Sequence, residues 1–337
     1  MNSFFYYGLP SFFEKVFSEA SFPVSSDIFE KISLRYQSEA SREGASLSFK
    51  KEEAFVYALG RMPATIAAIK DVLRRLRQQN SKFSPNSFLD IGSGPGSFLW
   101  AFLEYFPKFE RGVLWEGNAS FLDFLKLFLK EGETSFKSLQ NVEVLEKNII
   151  NLSLTENEEY FDLVNLSYVL SEISEKEQPN LLEKAWKKTR DVLMIIEPGT
   201  PNGFLNILRA RHFFKEQGGF FCAPCPHQNR CPLENTKDWC HFSVRLKRSH
   251  LHKRLKSASL SYEDEKYAYL IVQKKPVERN SLESRILKNP LKRTGHIIFD
   301  GCSQKGEERI TISKKTPRLY KEAKAKEWGD LWENEEE

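Results

Sequence analysis

Four of the five cysteines in this chain of 337 residues lie within nineteen residues, in the stretch CAPCPHQNRCPLENTKDWCHF. They are Cys222, Cys225, Cys231 and Cys240, and two of them are followed directly by proline. Thiolates bind zinc and iron–sulfur clusters. A Cys-Pro step recurs at iron–sulfur ligands, and proline fixes the chain there and removes a competing backbone donor. The stretch therefore predicts a metal centre.

The residues by themselves leave the kind of centre open. Zinc ribbons use two CxxC pairs, and only Cys222 and Cys225 form one here, although His227 and His241 could complete a Cys3His zinc site. A disulfide framework is disfavoured because the number of cysteines is odd and the start of the chain lacks the features of a secretory signal. Idle buried thiols are the remaining alternative.

A glycine-rich turn, LDIGSGPG, follows an apolar run at residues 88–91 and precedes a helical pattern. Glycines let a ligand approach the backbone closely, and the following helix offers unpaired N–H groups. A carboxylate about twenty residues further on can accept hydrogen bonds from a ribose diol. The residues predicted to bind the cofactor are Asp90, Gly92, Ser93, Gly94, Gly96, Glu116 and Asn148.

The Asp-x-Gly-x-Gly-x-Gly spacing resembles motif I of class I methyltransferases that use S-adenosylmethionine (SAM), rather than the Gly-x-Gly-x-x-Gly of dinucleotide enzymes. By this resemblance Asp90 and the glycines would hold the methionine part, Glu116 the ribose and Asn148 the adenine. Neither an Asn/Asp-Pro-Pro-aromatic motif nor a nucleophilic cysteine follows the fourth or fifth strand, so we name no catalytic residue. Asn165, Ser167 and Tyr168 are candidates to face a substrate.

Strand and helix patterns alternate from Phe88 onward, which predicts an α/β fold with a parallel sheet covered on both faces. The fold class is that of a Rossmann-like class I methyltransferase with three additions: a helical N-terminal region, a cysteine-rich insertion and a small C-terminal β extension. One helix of the N-terminal region is expected to begin near Pro63. The predicted domains are residues 1–80, 81–275 with the insertion at 220–242, and 276–337 with a basic and acidic tail.

Positive charge is concentrated late in the chain. Residues 241–337 carry 22 Lys and Arg against 15 Asp and Glu, whereas the rest carries 28 against 31. The stretch RLKRSHLHKRLK would present a positive face if it were helical, and such a face suits phosphates. A solvated charged surface is the alternative. The predicted RNA-binding residues are Arg245, Lys247, Arg248, Lys253, Arg254 and Lys256, and further cations lie at Arg293, Lys314, Lys315, Arg318, Lys321 and Lys324.

Composition is that of a globular protein, with 40% hydrophobic and 28% charged residues. No run of eighteen apolar residues predicts a membrane span. The first residues show neither a basic secretory n-region nor an Arg-rich transit pattern. These observations predict a cytoplasmic protein of bacterial type, and we expect a monomer.

A set of motifs resembles the family of ribosomal small-subunit protein 22, which includes methyltransferase-like protein 17. The resemblance extends over roughly residues 55–330. The motifs are GRMPATIAAI (60–69), DIGSGPGSFLWA (90–101), SYVLSEI (167–173), IEPGTPNGF (196–204), APCPHQNRCPL (223–233), DWCHFSVRLKRSHLHKRLK (238–256), YEDEKYAYL (262–270) and KEWGD (326–330).

The resemblance implies a class I methyltransferase fold that associates with the ribosomal small subunit during its assembly and carries a [4Fe–4S] cluster. The implied ligands are Cys225, Cys231, Cys240 and the distant Cys302, which leaves Cys222 as an extra thiol. Zinc remains the alternative metal.

The sequence thus supports two hypotheses. In the first, the protein binds SAM and small-subunit rRNA and supports ribosome assembly without needing to transfer methyl groups. In the second, it is an active rRNA methyltransferase. The missing target-side signature favours the first hypothesis, and the intact glycine turn with Glu116 supports the second.

Overall fold

The structure is a computed structural model that describes residues 13, 25–37, 49–149, 159–276 and 283–333, together with the backbone of residues 5–6 and 9–10. The chain divides into two compact units. The first comprises Met1–Ile196 and Val244–Glu265, and the second comprises Glu197–Ser243 and Lys266–Glu337. The predicted boundaries near residues 80 and 275 remain a prediction.

Helices and strands alternate through the middle of the chain, as the sequence patterns predict. The helices are α1 Ser26–Gln37, α2 Lys51–Gln79, α3 Ser97–Tyr105, α4 Ala119–Gly132, α5 Gln178–Lys188, α6 Pro201–Glu216, α7 His250–Leu255 and α8 Pro317–Ala325, with 3-10 turns at Lys137–Asn141 and Leu170–Glu172. The strands are β1 Phe5–Tyr6, β2 Leu9–Pro10, β3 Ser87–Ile91, β4 Arg111–Glu116, β5 Val142–Glu146, β6 Phe161–Ser167, β7 Thr189–Pro198, β8 Phe220–Ala223, β9 Phe242–Lys247, β10 Tyr262–Gln273, β11 Glu283–Ile286, β12 Leu291–Arg293, β13 His296–Ser303, β14 Gly306–Ser313 and β15 Leu331–Glu333.

The first unit is built on a parallel sheet in the order β5-β4-β3-β6-β7. The order reverses at β3, which is where ligands bind in doubly wound sheets, beyond the carboxyl ends of the strands. Asp90 on β3 is in register with Leu114 on β4 and with Asn165 on β6, so all three strands present their last residues at one edge. The predicted α/β fold with a parallel sheet is confirmed.

Helix α2 is 29 residues long and runs through Pro63. The expected start near Pro63 is wrong, because the helix begins at Lys51 and places the proline in its interior. An interior proline costs about 3 kcal/mol. Most side chains of α2 from Ala54 to Leu76 are buried, and burying that apolar surface outweighs the cost.

The second unit contains an antiparallel pairing of β8 with β10 and a separate five-stranded sheet of β11 to β15. The five-stranded sheet forms the predicted small β extension. Its strands and α8 enclose their own core of Ile286, Ile297, Phe299, Ala323 and Trp332. This core fixes β13, the strand that carries Cys302.

No helix within the described residues is long and apolar enough to cross a bilayer.

Candidate functional site

The glycine turn joins β3 to α3 with three residues in the left-handed region. The φ angles of Gly92, Gly94 and Gly96 are 73°, 53° and 89°, which L side chains adopt at a cost. A Cβ at Gly92 would lie 2.7 Å from Val169, and one at Gly96 would lie 2.8 Å from a side chain of α4. A Cβ at Gly94 would meet nothing within 4 Å. Packing therefore requires the outer glycines, whereas the middle one faces open space in which a ligand can lie.

Asp90 is 1% exposed at the end of β3. Its Oδ1 accepts a hydrogen bond of 2.7 Å from Asn165 Nδ2, and Asn165 Oδ1 accepts one of 2.9 Å from the Ser167 hydroxyl. The Oδ2 atom of Asp90 has no hydrogen-bond partner among the described residues. Burial raises the pKa of Asp90 to about 7. A buried carboxylate oxygen without a partner is costly unless a ligand supplies a donor.

Glu116 links the ends of β4 and the glycine turn. Its Oε2 accepts a hydrogen bond of 2.6 Å from the Gly94 N–H, and its Oε1 accepts one of 2.7 Å from the Asn118 N–H. Burial raises the pKa of this carboxyl, and the backbone hydrogen bonds partly oppose that rise. Each oxygen retains a lone pair, so the carboxylate can still receive a pair of ligand hydroxyls.

These residues line one cleft of about 910 Å³, a volume that includes its solvent-open side. Six of the seven predicted cofactor-binding residues line the cleft. The seventh, Gly96, does not line it and lies against α4. The lining predicted from the sequence is Asp90, Gly92, Ser93, Gly94, Glu116 and Asn148.

Aromatic side chains that the sequence reasoning missed form another wall of this cleft. The ring centroids of Phe49, Tyr57 and Phe121 lie 5.0 to 5.5 Å apart in a mutual contact. Phe121 comes from α4, far along the chain from Phe49 and Tyr57, so no local pattern signals the group. Aromatic rings that form the wall of a cleft can pack against a flat heterocycle.

Tyr168, directly after β6, is a non-glycine residue with a positive φ of 63° and also lines the cleft. Its hydroxyl donates to Glu265 Oε1 at 3.2 Å, and Arg61 donates to both oxygens of Glu265 at 3.0 and 3.4 Å. Burial raises the pKa of Tyr168, so the phenol stays protonated. Strained residues held in this way are frequent at functional sites.

Four cysteines come together in the second unit. Cys225, Cys231, Cys240 and Cys302 line one apolar pocket, and all are free thiols. Cys222 is fully buried in β8 and does not line that pocket. The fold thus groups the distant cysteine with three of the four local ones.

The thiols of this pocket influence one another. Burial and then the neighbouring Cys225 raise the pKa of Cys231 to about 11. Burial and the other cysteines of the group also raise the pKa values of Cys240 and Cys302. His227 Nε2 lies 3.4 Å from the Cys302 sulfur. Four thiolates in one apolar pocket repel each other unless a cation joins them.

Among the described residues, no group of three or more His, Cys, Asp or Glu side chains is arranged to hold a single metal ion. A single ion needs its sulfur ligands about 2.3 Å from one point. A four-iron cluster binds each thiolate to a different iron, so its ligands stand further apart. The donor set, four thiols around one apolar pocket, is one that iron–sulfur clusters and zinc both use.

The basic stretch is not one helix. Arg245 and Lys247 lie in β9, and α7 covers only His250–Leu255. Arg245 is held by Asp264 through two bonds of 2.7 Å and lies 4.1 Å above the Tyr262 ring.

Two of the predicted RNA-binding residues are paired with a carboxylate inside the first unit. Arg248 and Lys256 both bind Glu263, at distances of 2.8 to 3.0 Å, in a half-buried cluster. Burial and the Lys256 charge lower the pKa of His252 to about 4, so that histidine is neutral. Of the six predicted RNA-binding residues, three have no side-chain partner within the described part of the chain: Lys247, Lys253 and Arg254.

A family model described as Mitochondrial small ribosomal subunit Rsm22 matches residues 51–333, which is most of the chain. The chain belongs to this family. The resemblance read from the motifs is therefore confirmed.

Curated relatives of this Rsm22-family chain include the human ribosome assembly protein METTL17, mitochondrial, at 27% identity over 85% of this chain and 63% of that protein. The ribosome assembly protein RSM22, mitochondrial, of Saccharomyces cerevisiae is 24% identical over 79% of this chain and 64% of that protein. The chain thus spans less than two thirds of the length of either relative. Among solved structures, magnesium protoporphyrin IX methyltransferase from Synechocystis is 9% identical over 74% of this chain and 97% of that chain, with a TM-score of 0.41.

The expectation of a bacterial-type cytoplasmic protein is wrong. The family is described as mitochondrial, and the relatives from human and Saccharomyces cerevisiae are mitochondrial proteins. The expectation rested on the composition of the first residues, and that composition says nothing about the compartment in which the folded domain works.

Proposed function

We propose that this chain is a SAM-binding, methyltransferase-like assembly factor of the mitochondrial small ribosomal subunit that binds rRNA and carries a [4Fe–4S] cluster. The family match over residues 51–333 carries the ribosomal part of this proposal. The cleft at the glycine turn supports the cofactor, and the four-cysteine pocket supports the cluster.

SAM would lie across the end of β3. Asp90 Oδ2 and the open face of Gly94 receive the methionine part, and Glu116 receives the ribose hydroxyls. Asn148, on the loop after β5, lines the same cleft and would receive the adenine. When bound, SAM supplies an electrophilic methyl group. The chain's own contribution is to bind and orient the cofactor.

The raised pKa of Asp90 gives this proposal a pH signature. If the Asp90 carboxylate receives the ammonium group of SAM, binding below pH 7 must first remove a proton from Asp90. We expect the SAM affinity to fall about tenfold per pH unit below 7 and to level off above it. Isothermal titration between pH 5.5 and 7.5 measures this, with Asp90→Asn as the control that removes the slope. An affinity that is constant over this range would contradict the assignment.

The cluster ligands proposed are Cys225, Cys231, Cys240 and Cys302, with zinc as the alternative metal. Their common apolar pocket supports a metal centre, and the two Cys-Pro steps favour iron–sulfur. Cys225 and Cys302 come from different segments, so a bound cluster would also tie the cysteine-rich stretch to β13.

Lys247 and Arg254 are the exposed members of the basic stretch that remain available for RNA phosphates. We expect the double substitution Lys247→Ala and Arg254→Ala to weaken binding of small-subunit rRNA fragments. It should also make the negative slope of log affinity against log salt shallower by about 1.5, because two phosphate contacts are lost. Filter binding at several salt concentrations measures both effects.

A matched control is Lys126→Ala, which removes an exposed charge from α4. It should leave the salt slope unchanged. Arg248→Gln should lower thermal stability instead, since it breaks the pair with the half-buried Glu263. If the double variant binds RNA with the wild-type slope, these residues are not the RNA surface.

Active methyl transfer to rRNA is the second candidate. The strained backbone at Tyr168, which lines the cleft, favours it. Tyr168 would then orient a target base rather than accept a proton, because its raised pKa keeps the phenol protonated.

A further inference from the structure

Two buried arginines line the four-cysteine pocket. Arg211 on α6 and Arg285 on β11 are each 2% exposed. Both line the same pocket as the four clustered cysteines. A guanidinium stays charged at any physiological pH, so these side chains carry positive charge into an apolar interior. Such burial is costly unless negative charge lies beside it.

Arg211 has no carboxylate partner among the described residues. Its Nη2 donates to the Asn229 carbonyl, its guanidinium lies 4.5 Å above the Phe221 ring, and its Nε makes no hydrogen bond within the described residues. Carbonyl oxygens and ring faces orient a guanidinium but do not neutralise its charge.

Arg285 is oriented in a similar way. Its Nε donates to the Pro224 carbonyl at 2.8 Å, and its Nη1 donates to the Gly329 carbonyl at 2.7 Å. Arg285 lies directly opposite Cys302 in the antiparallel pairing of β11 with β13. The backbone carbonyl before Cys225 therefore fixes this guanidinium next to the cysteine group.

Arg211 and Arg285 both line the pocket that the four proposed ligands share, so their charges lie beside the thiols.

Four thiolates contribute four negative charges. Bound to a [4Fe–4S] core of charge +2, or to Zn²⁺, they form a centre of net charge −2. Two guanidiniums supply +2. We propose that Arg211 and Arg285 are built-in counter-charges of a dianionic tetrathiolate centre and favour the filled pocket over the empty one. This inference rests on the proposed metal centre, and it assigns the arginines as positioning residues.

A counter-charge beside the centre changes its midpoint potential, whereas a purely structural arginine would not. One electron supplied by dithionite takes a [4Fe–4S] centre from −2 to −3, and adjacent positive charge stabilises the reduced form more than the oxidised form. Removing one guanidinium charge should therefore make the midpoint potential more negative. A lysine at the same place should restore part of that loss because it keeps the charge.

The experiment uses the full chain, purified without oxygen, as wild type, Arg211→Gln, Arg211→Lys, Arg285→Gln and Arg230→Gln. Arg230 is the matched control, because it precedes Cys231 directly but its side chain is 68% exposed and paired with Glu234. Two quantities are measured: the rate at which a chelator removes metal, and the midpoint potential in a dithionite titration followed by electron paramagnetic resonance.

We expect Arg211→Gln and Arg285→Gln to lose metal about tenfold faster and to be harder to reduce. Arg211→Lys should lie between them and the wild type, and Arg230→Gln should match the wild type, since water screens its charge.

The outcomes separate the inference from the proposed function. Iron in the wild type, with extraction rates and potentials unchanged in Arg211→Gln, or in Arg211→Lys and Arg285→Gln if Arg211→Gln does not fold, overturns the inference alone. One zinc per chain refutes the iron–sulfur assignment, and the extraction rates then decide the inference. A wild-type chain that holds neither metal overturns both.

Discussion

Replacing Cys302 by serine is expected to remove the iron–sulfur cluster, whereas replacing Cys222 by serine is expected to leave it intact. Cys302 lines the pocket with the three other proposed ligands, and Cys222 is buried in β8 outside it. Iron should fall from about four atoms per chain to less than one in Cys302→Ser, with loss of the visible absorption. Iron and sulfide analysis of anaerobically purified protein measures this.

The same pair of variants discriminates the alternatives. If Cys222→Ser loses the iron and Cys302→Ser keeps it, the local CxxC pair is the true ligand pair and the ligand set proposed here is wrong. One zinc per chain without visible absorption would instead identify a zinc site. Because Cys222 is fully buried, thermal unfolding of both variants is needed to separate loss of metal from loss of the fold.

Gly94→Ala is expected to weaken SAM binding by about 100-fold or more, a loss that corresponds to about 2.7 kcal/mol. The new methyl group meets no protein atom within 4 Å, so it occupies the space left for the ligand. Its backbone cost, at a φ of 53°, is about 1 to 2 kcal/mol of stability. Isothermal titration with SAM measures the loss of binding.

Gly218→Ala is the matched control for backbone strain. Gly218 follows α6, has a φ of 71°, and a Cβ there would also meet nothing within 4 Å. It should show a similar loss of stability with normal SAM affinity. If both variants bind SAM equally well, the cleft at the glycine turn is not the SAM site.

Gly94→Ala also separates the two functional hypotheses. An assembly factor that only needs its fold and its RNA surface should still support small-subunit assembly when this variant replaces the wild type. An rRNA methyltransferase should leave one nucleotide unmethylated. Mapping of small-subunit rRNA methylation beside a measurement of assembled subunits decides between them, and we expect assembly to persist.

Local chemistry determined much of the first unit. Glycines at 92, 94 and 96 after an apolar strand, and an acid at the end of the next strand, predicted the cleft and its position. They could do so because strand period, turn glycines and helix starts depend on neighbouring residues. Parallel strands then bring their carboxyl ends to one edge, so Asp90 and Glu116 had to be near each other.

Burial decided the course of α2. A proline is a local signal for a helix start, but the apolar face of α2 gains more from burial than Pro63 costs.

Ion pairing likewise decided which charges of the basic stretch are available to a partner. Glu263 draws Arg248 and Lys256 inward, and a charge count along the chain cannot register a carboxylate that folds back from a later strand.

The sequence by itself determined the parallel sheet, the glycine turn and the presence of a thiol cluster, because each depends on residues close together in the chain. Only the tertiary structure decided which thiols share a pocket. Cys302 joins Cys225, Cys231 and Cys240 because β13 is fixed by the core of its own sheet, and Arg211 and Arg285 reach the same pocket from a helix and a strand far apart in the chain. Contacts between distant segments are set by burial and packing, and those act only once the chain has folded.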